Sequence, residues 1–128
     1  ARYQHLFGPF TFMDSPLTGV LYRGKPSDVT LRIAFGSAGN VEIEFIEVIS
    51  GASPHKEFLD AGREGIHHIR YRVPDCDLTI AALAGEGFTP IWYYDMGFAK
   101  FAYLEHASRD GVLIELLEMA GALAATPR

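Results

Sequence analysis

The chain has 128 residues, a net charge of -5, 48% hydrophobic and 21% charged content, and one cysteine. This length suits one compact domain, or two small modules sharing a core, and the apolar content argues against disorder. The charge gives no electrostatic reason for nucleic acid or an anionic membrane as partner, no apolar run is long enough to span a bilayer, no signal-peptide pattern opens the chain, and a lone Cys76 excludes an intrachain disulfide and fits a reducing, cytoplasmic setting.

Residues 1–7 read as the end of a helix stopped by Gly8-Pro9. Strand patterns follow at 10–13, 19–23, 30–35 and 40–49, divided by Gly, Pro and Asp clusters. Ser53 as cap and Pro54 at the first helical position open a short helix that stops at Gly62. Residues 66–73 form a strand. Asp75 or Asp77 caps the next helix, where Ile80, Leu83 and Ala84 recur at helical spacing before Gly85 and Gly87. Cys76 sits in the turn that opens this helix, without a CxxC partner, which is a structural position. Strands at 89–95, 100–105 and 112–118 complete the chain, with a small tail at 120–128.

The second half is thus strand, helix and three strands, and the first half repeats that pattern without its opening strand. Val41-Glu42-Ile43-Glu44-Phe45-Ile46-Glu47 recurs 71 positions later as Val112-Leu113-Ile114-Glu115-Leu116-Leu117-Glu118, each copy behind a Gly-containing turn, Gly39-Asn40 and Asp110-Gly111. Alternation puts Glu44 and Glu115 at the same step of equivalent strands, opposite Ile43/Phe45 and Ile114/Leu116. The two carboxylates either share a pseudo-symmetric site between the repeats or are solvated on edge strands.

The repeat offset, and the 79-residue offset between Gly8 and Gly87, place the counterpart of His68 at -3 to -11, before Ala1. A strand and the start of a helix, about 12–25 residues, are therefore expected ahead of this sequence.

In Gly65-Ile66-His67-His68-Ile69-Arg70-Tyr71-Arg72-Val73, alternation puts His67, Ile69, Tyr71 and Val73 on one face and His68, Arg70 and Arg72 on the other. The apolar set should pack under a helix, and the polar set should line water or a cavity. One imidazole with two carboxylates from partner strands suits a borderline divalent metal: Zn, Ni, Co, Mn or Fe(II). Arg70 and Arg72 are either solvated or meet an anionic substrate group. Trp92-Tyr93-Tyr94, Phe98, Phe101 and Tyr103 form either core or an aromatic wall.

Three segments, Ile43–Glu47, Glu64–Ile69 and Asp110–Leu116, resemble the later metal motifs of the vicinal oxygen chelate superfamily. That superfamily includes glyoxalase I, methylmalonyl-CoA epimerase, extradiol ring-cleavage dioxygenases and bleomycin and fosfomycin resistance proteins. The likeness extends over nearly the whole chain, including Gly8-Pro9-Phe10 and the helix at 53–62. It implies an α+β fold of two βαβββ modules, 1–62 and 63–128, whose curved mixed sheets enclose a central cavity within one structural domain. The first strand of module one, which in the family carries a His or Gln ligand, would precede Ala1. His5 should not replace that ligand, because it lies in a helix.

The resemblance also implies one divalent metal held by Glu44, His68 and Glu115. The activity implied is a lyase or isomerase of glyoxalase or epimerase type, moving a proton alpha to a metal-bound carbonyl. Glu115 is the likelier base of the two carboxylates, Glu44 is partner base and ligand, and His68 is a ligand only. Arg70 and Arg72 would bind the substrate, a small carbonyl compound that is anionic or a thioester or thiol adduct, and a homodimer is expected. Two alternatives remain: an extradiol-type non-haem iron dioxygenase, which has no carboxylate at the Glu44 position, and a metal-free binding or resistance protein, which lacks the metal residues.

Overall fold

The computed structural model of this chain describes residues 4–108 and 111–121. The elements are α1 (Gln4–Phe7), β1 (Thr11–Tyr22), β2 (Lys25–Ala38), β3 (Val41–Ser50), α2 (Pro54–Asp60), β4 (His68–Arg72), α3 (Cys76–Ala84), β5 (Phe88–Asp95), β6 (Ala99–His106) and β7 (Leu113–Met119). The expected helix start at 1–3, Asp110 of the second repeat turn, and the tail at 122–128 lie outside the described residues.

The local signals act as the sequence suggests. Ser53 accepts the Lys56 N–H and Pro54 occupies the first turn of α2. Asp75, not Asp77, caps α3 by accepting the Leu78 N–H at 3.0 Å. Glu118 adds a second carboxylate there, accepting the Cys76 N–H at 2.8 Å. One expectation needs correction. The runs at 10–13 and 19–23 are not two strands but the ends of one, β1, which passes Pro16 and absorbs Gly19 in an irregularity between Leu17 and Val20. Gly19 sits at φ +72 and donates its N–H to Asp28, so the bend is satisfied rather than chain-breaking.

Among the described residues, the seven strands belong to one sheet in the order β3-β2-β1-β5-β6-β7-β4. Its pairs are antiparallel except β4 with β7. The halves join through β1 and β5 at only two residue pairs, Leu21 with Tyr93 and Tyr22 with Trp92. Counting outward from that joint, β1, β2 and β3 match β5, β6 and β7, so the two repeat copies occupy equivalent strands. β3 and β4 are the two edges of the sheet. The sheet curls until those edges face each other, bringing Glu44 of β3 within 3.2 Å of His68 of β4.

Each face has its own core. The concave face holds Leu17, Val20, Val29, Leu31, Ile33, Ile91, Trp92 and Tyr103. On the convex face, Cys76, Ile80 and Leu83 of α3 pack over Ala102, Leu104, Ile114 and Leu116. Cys76 is fully buried here, the structural position expected of it. The apolar side of β4 is a second correction. Only Val73 joins the core under α3, whereas Ile69 and Tyr71 are 47% and 53% exposed. The helix lies over β5, β6 and β7, and β4 is left at the rim beyond its reach.

Candidate metal centre

Glu44 is paired across to Phe35 on β2, and the residues two and four steps along, Ile46 and Val48, pack on the concave core. Glu115 is paired across to Tyr103 on β6 and to Arg70 on β4. His68 opens β4 opposite Leu113. Strand alternation therefore turns all three side chains inward, as the sequence requires, and curling supplies the rest. One ligand atom from each of Glu44, His68 and Glu115 lies within 4.8 Å of the others. His68 Nε2 is 3.2 Å from Glu44 Oε1 and 3.2 Å from Glu115 Oε1. Glu115 is only 3% exposed, so solvated edge carboxylates are not what this sequence builds.

Two carboxylates this close and this dry need positive charge. In the structure His68 and Arg70 provide it. Burial alone would lower the His68 pKa, but hydrogen bonds and charge from Glu115 and Glu44 raise it to about 9. Burial likewise pushes the Glu115 carboxyl up, and His68 with Arg70 outweighs that, leaving it below the usual carboxylate range. Arg70 donates from Nε to Glu115 at 3.1 Å, and its other guanidinium nitrogens lie 3.7 Å from Glu44 and 4.0 Å from Glu42. Arg72 shares this inner face, one pair beyond Tyr71, beside Leu117. A borderline divalent cation fits the donor set, since one imidazole and two carboxylates offer nitrogen and oxygen at a spacing a single ion spans.

The surroundings hold residues that sequence reasoning missed. His55, in the first turn of α2, is 4% exposed and points into the concave core. Its Nε2 is 2.8 Å from the Tyr103 hydroxyl, and its Nδ1 has no partner among the described residues. Tyr103 is fully enclosed and stacks on the His68 ring at 4.8 Å. Burial drives its pKa well above the ordinary value and drives that of His55 down to about 3. Nothing in the sequence marks His55, because a histidine in a short, mostly exposed helix carries no periodic signal.

His67 is a third correction. Alternation assigns it to the outer face with Ile69, yet its ring stacks on His55 at 4.9 Å and meets Tyr103 and Phe58 edge-on. The reason is that β4 begins at His68, so His67, two residues after Gly65 at φ +107, precedes the strand and escapes its period. The aromatic residues divide. Trp92 and Tyr103 are core, Tyr94 and Phe101 pack partly buried on the same inner face, Tyr93 turns outward to Asp77, and Phe98 is exposed. His5 lies in α1 and is not among the three residues that converge.

A single curled sheet of this strand order with an inward Glu, His and Glu defines the class. The family model of the glyoxalase/bleomycin resistance protein/dioxygenase superfamily matches residues 2–103, and the chain belongs to that superfamily. The chain is 29% identical over 104 residues to the uncharacterized protein YqjC of Bacillus subtilis (strain 168), covering 79% of this chain and 74% of that protein. The crystal structure of the hypothetical protein BH1468 from Bacillus halodurans C-125 is similar at 29% identity and a TM-score of 0.57, over 84% of this chain and 78% of that one. Methylmalonyl-CoA epimerase from Mycobacterium tuberculosis shares the fold at a TM-score of 0.61 and 22% identity, over 98% of this chain and 81% of that one.

Proposed function

We propose that this protein is a divalent-metal-dependent lyase or isomerase of glyoxalase or epimerase type, which moves a proton at the carbon next to a substrate carbonyl. The observation that carries this reading is the meeting of Glu44, His68 and Glu115 within 4.8 Å, from opposite ends of one curled sheet. Superfamily membership and a fold shared with an epimerase support it.

Glu44, His68 and Glu115 would hold the ion, which when bound supplies Lewis acidity toward a carbonyl oxygen. The protein's own groups supply the proton movement. Glu115, below the usual carboxylate range, is ionised at neutral pH and able to take a proton from carbon. Glu44 reaches the same point from the other half of the sheet. If one carboxylate enters ionised and takes the proton while the other enters protonated and delivers its own to the opposite face of a flat intermediate, the carbon is inverted and the pair ends with its protonation states exchanged. A proton returned instead to the neighbouring atom isomerises the substrate. Tyr94, Phe101 and Leu117 lie on the inner face on the side of the trio away from α2, and would exclude water from the substrate. Arg70 and Arg72 on the same face would meet an anionic group of the substrate.

Metal analysis of purified protein, together with solvent deuterium exchange at the alpha carbon of 2-oxoaldehyde hemithioacetals and 2-methyl acyl thioesters, tests this. Exchange that depends on Zn, Ni, Co or Mn is expected. Oxygen uptake with a catechol and no exchange would instead establish a dioxygenase, and the absence of any bound divalent metal would establish a binding protein.

A further inference from the structure

His67 is adjacent to the trio without belonging to it, and its bonding is directional. Its Nε2 is 3.4 Å from the carbonyl oxygen of Pro54, and its Nδ1 is 3.0 Å from Nδ1 of His68. A carbonyl oxygen only accepts, so the His67 proton belongs on Nε2. A neutral His67 then presents a bare Nδ1, which can only accept, and the hydrogen of that second bond must come from His68 Nδ1. The remaining nitrogen of His68, Nε2, is the one aimed at Glu44 and Glu115.

From this chain of bonds we infer that His67 is a positioning residue: it holds His68 in the Nδ1–H form, with Nε2 turned toward the two glutamates and available to a divalent ion. The inference rests on the proposed metal-dependent reading and extends it by one residue. Three features make His67 suited to the task. Its ring is clamped by stacking on His55 and by edge contacts with Phe58 and Tyr103. The Pro54 carbonyl that sets its proton belongs to the first turn of α2, whose start is fixed by the Ser53 cap. The two carboxylates lie against His68 at 3.2 Å, whereas the His67 ring is packed among His55, Phe58 and Tyr103, so the hydrogen between the two imidazoles belongs to His68. A ligating imidazole whose other nitrogen is hydrogen-bonded is held in orientation and tautomer, and loss of such a partner typically weakens metal affinity about 10–100-fold.

The test uses the full chain and two readouts. In 15N-labelled, chelator-treated protein, a scalar coupling between the Nδ1 nuclei of His67 and His68 across their hydrogen bond is expected. Zinc affinity is then measured by competition with a chromophoric chelator for the wild type, His67→Phe and His67→Asn. Phenylalanine keeps a flat ring against His55 and Phe58 but has no acceptor, so affinity should fall about 10–100-fold. Asparagine can place an acceptor oxygen close to the Nδ1 position, so affinity should largely recover although the ring is lost. A merely structural His67 would give the reverse order, with Phe tolerated and Asn not. Equal zinc affinity in wild type and His67→Phe, or the absence of the internuclear coupling, overturns the inference. A wild type that shows the coupling but binds no divalent metal refutes the proposed function and leaves the bonding of His67 standing.

Discussion

Metal-free protein is expected to be most stable near pH 6.5 and to weaken on either side, because three buried imidazoles titrate in opposite directions. Glu115 and Glu44 overcome the burial of His68 and raise its pKa from 6.5 to about 9. Burial lowers His55 to about 3 and His67 to about 4. Above pH 6.5 the unfolded chain has lost the His68 proton that the folded chain keeps. The stability this proton confers is fully present below 6.5 and is lost as the pH rises through 9. The loss amounts to roughly 3 kcal/mol, at about 1.4 kcal/mol per pH unit between the two values. Below 6.5 the unfolded chain binds protons at His55 and His67 while the folded chain does not. By about pH 5 each of these removes roughly 2 kcal/mol. Urea unfolding followed by the fluorescence of buried Trp92, with chelator present, measures both limbs. Saturating zinc should flatten the alkaline limb, since a ligating Nε2 carries no proton, and His68→Asn should abolish that limb and shrink the acid one, because the charge of His68 adds to burial in lowering His55 and His67. Stability that is level or rising from pH 6.5 to 9 in chelated protein would refute the reasoning.

Three substitutions probe other parts of the molecule. Glu115→Gln keeps the side chain's size and removes the base, so alpha-carbon deuterium exchange should fall about 10²–10⁴-fold. Zinc content is followed in the same samples, to separate loss of the base from loss of the ion. Gly51→Ala should lower the urea midpoint by the equivalent of about 1–3 kcal/mol, because Gly51 sits at φ +94 and an added Cβ would lie 2.2 Å from the Asp28 carbonyl oxygen. Asp75→Ala removes the acceptor of the Leu78 N–H at the start of α3 and should cost about 1 kcal/mol, seen as a lower thermal midpoint.

Much of the site is legible in the sequence because it depends on alternation. Glu44, Glu115 and His68 lie inside ladders, where a period of two fixes the face, and the duplicated segment reveals that two of them are equivalent. His67 departs from alternation for the complementary reason: one residue before the ladder, the period no longer holds. Ile69 and Tyr71 obey the period but not the expectation of cover, since which strands a helix shields depends on where its axis lies, and a local pattern does not encode that. β1 has the local pattern of two strands because Pro16 and Gly19 are breaking signals, whereas its partner β2 carries the chain across both. His55 and the enclosure of Tyr103 depend on the docking of α2. That docking relies partly on Arg23, which joins Glu57 of the helix at 2.7 Å to Glu105 of β6 at 3.2 Å, residues far apart in the chain.

The two halves of the sheet are paired through the short joint between β1 and β5, so any change of angle there grows with distance from it. Glu44 and Glu115 each stand two strands from that joint, about 10 Å along the sheet at the usual inter-strand spacing. A rotation of roughly 10° at the joint would change the gap between the carboxylates by close to 2 Å, some ten times the roughly 0.2 Å tolerance of metal–ligand distances. The fulcrum is set by Tyr22 packed edge-on against Trp92, and by Arg23 bound to Glu57 and Glu105. The packing of Tyr22 on Trp92 therefore bears on how far apart Glu44 and Glu115 stand, since a change of angle at the joint reaches both.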